Sequence, residues 1–299
     1  MNTQNQAYKY ALIAIFFWST VATAFKISLQ YLNPLELVLY ASLFSTIILF
    51  VVIVYEKKLN DVKKHISNNY KKVFLLGLIN PFLYYLVLFK AYDLLSAQEA
   101  QAINYTWALM LSFLSVIFLK QKLTLKDIFA GIICYFGVLI ISTKGEPFSL
   151  NFSNMDGVLL ALLSTVLWSM YWIINTKNKV DPIVGLFSNF IVSLPLIIVY
   201  FLFTQDLSFP DIKGILAACY VGFFEMGITF LFWLKAMQKS NSTAKIANLI
   251  FISPFISLIF IHFIVKEEIY LSTILGLSII ILGLILQQLK TSKTNLKIT

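Results

Sequence analysis

The chain has 299 residues, 59% of them hydrophobic and only 12% charged, whereas soluble domains carry about 25% charged residues. That balance excludes an ordinary soluble domain. The apolar blocks run about twenty residues, enough to cross roughly 30 Å of hydrocarbon as a helix, and so exclude a β-barrel, which would alternate over about ten. The net charge of +9 comes from 23 lysines and no arginine. Most of these lie in short connections on one side of the blocks, where they set topology, so the charge does not point to nucleic acid.

The pattern predicts an all-α integral membrane protein of ten transmembrane helices, at about 10–31, 34–54, 72–92, 97–119, 125–143, 156–176, 182–203, 212–237, 243–265 and 270–289. The first opens like a signal peptide: Lys9, an apolar run over 11–21, then Ala22-Thr23-Ala24 as an A-x-A site. The run continues past that site to Leu32, long enough to span, so it is read as a retained helix. The lysine-rich segment 55–71 is read as a connection, which also suits attraction to lipid headgroups.

Lys9, the six lysines between 57 and 72, Lys120, Lys122, Lys126, Lys177, Lys179, Lys239, Lys290, Lys293 and Lys297 fall on one side, sixteen in all. Lys144, Lys213 and Lys266 fall on the other. The split predicts both termini in the cytoplasm and a multi-pass chain in the plasma (inner) membrane. Cys134 and Cys219 lie within apolar runs, where thiols behave as small apolar groups and do not suggest a disulfide framework.

The two halves resemble each other. Phe17-Trp18-Ser19 matches Leu167-Trp168-Ser169 at an offset of 150, and Phe89-Lys90-Ala91 matches Leu234-Lys235-Ala236 at 145. Lys120-Gln121-Lys122 matches Lys266-Glu267-Glu268, and Gly137 matches Gly283, at 146. Five spans per half means that the second half enters the membrane from the opposite side. The expectation is therefore two five-helix inverted-topology repeats, 1–148 and 149–299, with substrate near the midplane between them.

These features resemble the EamA branch of the drug/metabolite transporter superfamily, over nearly the whole chain. The resemblance rests on the five-plus-five layout, the Trp-Ser elements, the Lys-Ala elements, and Pro254 followed by Val265-Lys266-Glu267-Glu268, Gly276 and Gly283. The first half departs from the family pattern at Trp107-Ala108 and at Lys120-Gln121-Lys122. In the second span Tyr40 and Ala41 stand where an arginine is common. The resemblance implies a carrier that works by alternating access and commonly exports small metabolites. It does not name a substrate.

Glu225 is the only acidic residue in the apolar stretch 212–236. A carboxylate at that depth costs about 2.5–3.5 kcal/mol on insertion scales, and such groups usually face a protein interior or a water-filled cavity. Other polar or amphipathic groups fall near the helix centres. They are Trp18 in the first span, Asn80 and Tyr84 in the third, Asn104 and Trp107 in the fourth, Trp168 and Trp172 in the sixth, Thr229 beside Glu225 in the eighth, and Asn248 in the ninth. Asn80/Tyr84, Trp168/Trp172 and Glu225/Thr229 are four apart and Asn104/Trp107 three apart, so each pair presents one helix face. At the 145 offset Asn80 matches Glu225 and Tyr84 matches Thr229.

These residues form the candidate site for substrate and for a coupling proton: aromatic walls for an amine, amides for carboxylate or amide groups, and Glu225 for the amine or the proton. Packing competes with pocket lining for the tryptophans, and interhelical hydrogen bonding for Asn80 and Asn104. For Glu225 the competing reading is pairing with the most interior lysine, Lys26. His262 reads as interfacial. Ala130/Gly137 and Gly276/Gly283 are small-residue faces suited to packing within one chain or to a homodimer contact. The sequence leaves monomer or homodimer open.

The functional expectation is a secondary transporter that exports a small amino-acid-like or amphipathic metabolite. Its partners are that small molecule and the lipid bilayer, with neither cofactor nor metal. A non-transporting membrane sensor or assembly protein is the alternative. An intramembrane enzyme has less support, because the chain lacks H-E-x-x-H and G-x-S-x-G.

Overall fold

The computed structural model describes residues 3–120, 125–149, 152–176, 180–205, 210–240 and 249–288. Among them the chain is helical, without a strand. Eight helices are long and apolar enough to cross a membrane, and two shorter apolar helices follow, Leu249–Val265 and Leu271–Leu286.

Helix α1 (Thr3–Leu29) is followed by α2 (Pro34–Tyr55) and α3 (Leu59–Gly77). Asn33 starts α2 with a capping box: its Oδ1 accepts from the Leu35 and Glu36 N–H groups at 3.0 Å, and Glu36 returns a bond to Asn33 N at 2.8 Å. The segment 55–71, expected as a connection, is helical from Leu59 onward. Its Val62 and His65 are buried while Lys63 and Lys64 stay exposed, so one apolar stripe suffices to dock it. The backbone leaves helical geometry at Asn69 and then enters the membrane run.

The third span is interrupted by a π turn, Leu78–Leu83, before α4 (Tyr84–Leu94). The fourth is split into α5 (Ala97–Asn104) and α6 (Trp107–Leu119). Then come α7 (Leu125–Ser142), α8 (Met155–Thr176) and α9 (Pro182–Thr204). The eighth span is α10 (Ile212–Tyr220), a π turn Val221–Glu225, and α11 (Ile228–Lys239). A 3-10 turn Leu249–Ile252, α12 (Ser253–Phe260) and a π turn Ile261–Val265 precede α13 (Leu271–Gln288).

Packing follows small residues. A Cβ on Gly137 would lie 2.6 Å from Gly276 O, and one on Gly276 would lie 2.7 Å from Gly137 O. One on Gly283 would meet Cys134 Sγ at 2.5 Å. The small-residue faces therefore seat α7 against α13 within one chain. Helix α1 packs on α11 and α12, α8 on α4 and α6, α2 on α9 and α10, and α3 on α9. Buried Ala11, Ala14 and Phe25 and the Ser19–Ser253 hydrogen bond of 3.1 Å hold α1 in the core.

Candidate functional site

Two broken spans frame the site. In the first half Pro81 lacks the N–H that would close the preceding turn, and Asn80 leaves helical geometry at φ −140°, ψ 118°. In the second half the π turn ends at Glu225, and Gly227 leaves helical geometry at φ −122°, ψ −96°. Both breaks are preceded by a glycine in close contact with a neighbour. A Cβ on Gly77 would lie 2.7 Å from Asn189 O on α9, and one on Gly222 would run into Ala41 O on α2. Such π turns occur often at functional sites.

Glu225 is half-buried, and Tyr85 Oη donates to its Oε1 at 3.2 Å. Tyr85, 1% exposed, was not among the expected residues; Tyr84 was. A π turn carries one residue more than an α turn, so the face beyond it shifts by one position. Tyr84 instead stacks on Trp168, with ring centroids 4.7 Å apart, and Asn104 lies beside its side chain. Asn104 Nδ2 donates to Ser164 Oγ at 3.0 Å.

Trp168 is the hub of an aromatic wall. Its ring lies 5.5 Å from Tyr171, 6.0 Å from Trp172, 6.2 Å from Phe230 and 6.5 Å from Trp107. Phe230 is 5.7 Å from Trp18, which lies 5.2 Å from Trp233. Aromatic pairs of this kind contribute about 0.5–1.5 kcal/mol each beyond burial. Trp18, Tyr84, Trp107, Trp168 and Trp172 thus belong to one connected wall.

Asn80 is 2% exposed and sits with Asn189 at the Tyr171 hydroxyl, where Asn189 Nδ2 donates at 3.2 Å. Asn80 Oδ1 and Asn189 Oδ1 are buried without a partner. A buried acceptor left open suits an N–H from a ligand or an ordered water. Tyr171 and Asn189 carried no sequence signal beyond their apolar surroundings.

Two expectations need correction. Thr229 does not share a face with Glu225: its hydroxyl turns back to Phe224 O, because the break at Gly227 cancels the i,i+4 rule. Lys26 does not pair with Glu225. Its Nζ donates to Tyr92 O at 2.8 Å and Leu95 O at 2.7 Å, satisfying carbonyls at the end of α4. Asn248 lies outside the described residues. His262 is exposed, with Nδ1 3.1 Å from Glu267 O.

The eight span-length apolar helices and the two shorter ones that follow mark a multi-pass membrane protein. The chain belongs to the EamA-like transporter family, whose profile matches residues 5–143 and again 155–287. A protein of Archaeoglobus fulgidus named an uncharacterized transporter is 26% identical over 280 residues, covering 91% of this chain and 95% of that one. One of Clostridium kluyveri with the same name is 23% identical over 299 residues, covering 97% and 95%. The uncharacterized transporter YyaM of Bacillus subtilis is 22% identical, covering 87% and 86%. One solved crystal structure matches with a TM-score of 0.68 at 18% identity, over 95% of this chain and 97% of that one, and so shares the fold. The family and these names indicate a membrane transporter.

Proposed function

We propose that the protein is a secondary transporter that exports a small amino-acid-like or amphipathic metabolite by alternating access, with Glu225 as the group that couples or grips. The observation that carries this reading is the Glu225 carboxylate itself. It sits at a helix break inside the membrane, bonded to Tyr85 and backed by a tyrosine and tryptophan wall. An amine entering there meets a carboxylate on one side and aromatic faces on the other. Open amide oxygens on Asn80 and Asn189 offer acceptors for further N–H groups.

The scaffold we infer is two inverted repeats, 1–148 and 149–299, with both termini in the cytoplasm. The packing partners support it. Advance every span by five, and α1 on α11 becomes α8 on α4, while α1 on α12 becomes α8 on α6. Contacts of α2 with α10 become contacts of α9 with α3, and α2–α9 and α7–α13 map onto themselves. The two separate family matches fall one in each half.

Proteoliposomes loaded with candidate amines and amino acids test the reading. The wild-type chain should release substrate, faster with a pH gradient, and Glu225→Gln should lose the gradient dependence. Gradient-driven flux that is unchanged in Glu225→Gln would remove the coupling role. A panel in which no amine or amino acid raises the melting temperature would remove the substrate class.

A further inference from the structure

One end of the bundle holds a second buried polar cluster that the transport site does not use. The Ala97 N–H donates to both oxygens of Glu267, at 2.9 and 3.0 Å. Gln98, 2% exposed, donates to Glu268 O at 2.7 Å and accepts from Thr273 Oγ1 at 2.6 Å and Tyr270 N at 3.3 Å. Glu99, 5% exposed, accepts from Ser96 Oγ at 2.7 Å and Ser153 Oγ at 2.5 Å. Lys26 joins the same end through the carbonyls of Tyr92 and Leu95. The first turn of α5 is thereby fastened to the segment leading into α13 and to the approach to α8.

We propose that this cluster is the gate of the carrier. Glu267 and Gln98 are positioning residues that lock α5 across one end in the resting state, so the site loads from the opposite end. The inference rests on the transport reading and gives it a direction. Helix α5 is the lever: it has eight residues, its N-terminus is in the lock, and its last residue is Asn104 at the aromatic wall. Releasing Ala97 therefore shifts a residue of the site.

The lock is also one-sided in chemistry. Lys266 and Lys120 are left-handed end residues at the 146 offset, with φ of 62° and 54°. After Lys266 come Glu267-Glu268; after Lys120 come Gln121-Lys122. A carboxylate on a helix N-terminus is a charge-assisted bond favoured by the helix dipole, and a neutral amide or an ammonium is not its equal. The lysine distribution puts the Glu267 end outside, so the lock closes the outer end.

The test is sided labelling of the full chain in membranes. Cys219→Ser removes the partly accessible native thiol, Cys134 is fully buried, and Gln101→Cys reports from one turn beyond Gln98. An impermeant maleimide is applied to each face in turn. Adding Glu267→Gln with Gln98→Ala should speed labelling from one face only, by about tenfold, the equivalent of one lost charge-assisted bond. Glu267→Asp should restore slow labelling, and Thr273→Val, which removes a single bond to Gln98, should give an intermediate rate. Equal rates from both faces in all variants would overturn the gate. Labelling needs no substrate, so a failed gate appears as unchanged labelling with flux intact. A failed transport reading appears as altered labelling in a chain that moves nothing.

Discussion

The break at Leu78–Leu83 and the break at Val221–Glu225 use the same backbone device and carry opposite chemistry. Each has a glycine packed on a carbonyl at its start, Gly77 on Asn189 just before the first and Gly222 on Ala41 within the second. The first presents Asn80, neutral and 2% exposed; the second presents Glu225, ionisable and half-buried. The difference teaches that, on the proposed repeat, a helix opens at matching places in the two halves while the residue at each opening differs in chemistry.

Making the halves chemically alike should break this arrangement most severely. Asn80→Asp places a second carboxylate among Tyr171 and Asn189 with no cation beside it, and an unpaired buried charge costs about 3–5 kcal/mol. A matching drop in thermal stability in detergent is expected, whereas Glu225→Gln should be neutral or stabilising. Equal losses in the two variants would mean that the two breaks have equivalent environments.

The repeat tryptophans give the next contrast. Trp168 is 8% exposed and touches five rings, whereas Trp18, its match at the 150 offset, is half-buried and touches two. Trp168→Ala should cost about 3–5 kcal/mol and Trp18→Ala clearly less. Melting curves that rank them the other way would displace Trp168 as the hub. The glycines should behave alike: Gly77→Ala and Gly222→Ala each force a Cβ onto a backbone carbonyl and should cost about 1–3 kcal/mol. A neutral Gly222→Ala would show that α2 and α10 have room to separate.

Much of the frame was legible in the sequence because membrane spans are set by length and hydropathy, and both are local. The second, sixth and seventh spans fall within a residue or two of the expected limits. What was missed depends on geometry that a constant 100° per residue does not contain. Pro81 signals a break, but Gly222 and Gly227 look like ordinary small residues, so Glu225 and Thr229 were placed on one face and Tyr85 was passed over for Tyr84. The helix from Leu59 was hidden by its lysines, which hydropathy reads as a loop. Lys26 reads as a candidate partner for Glu225 because backbone carbonyls at a helix end carry no letter in the sequence.

The smallest effect lies where the two halves meet at the lysine-rich end. Lys58 Nζ is 2.9 Å from Asp181 Oδ2 and 2.6 Å from Glu56 Oε2. Asp181 Oδ1 also caps α9, accepting from Ile183 N at 3.0 Å and Val184 N at 3.3 Å. Burial pushes the Asp181 carboxyl up, but the Lys58 ammonium and the two backbone N–H groups outweigh that and hold it below the usual carboxylate range. A depressed acid stabilises the fold above its unfolded value of about 4, and the contribution fades as pH falls through the lower folded value. Asp181→Asn keeps the cap and removes the charge. The pair is partly exposed, so the loss at neutral pH should be below about 1 kcal/mol, shrinking as the medium is acidified below about pH 4. A penalty that persists undiminished in acid would show that the Lys58–Asp181 charge pair is not its source, leaving the halves joined at this end by packing alone and at the other by the Glu267 lock.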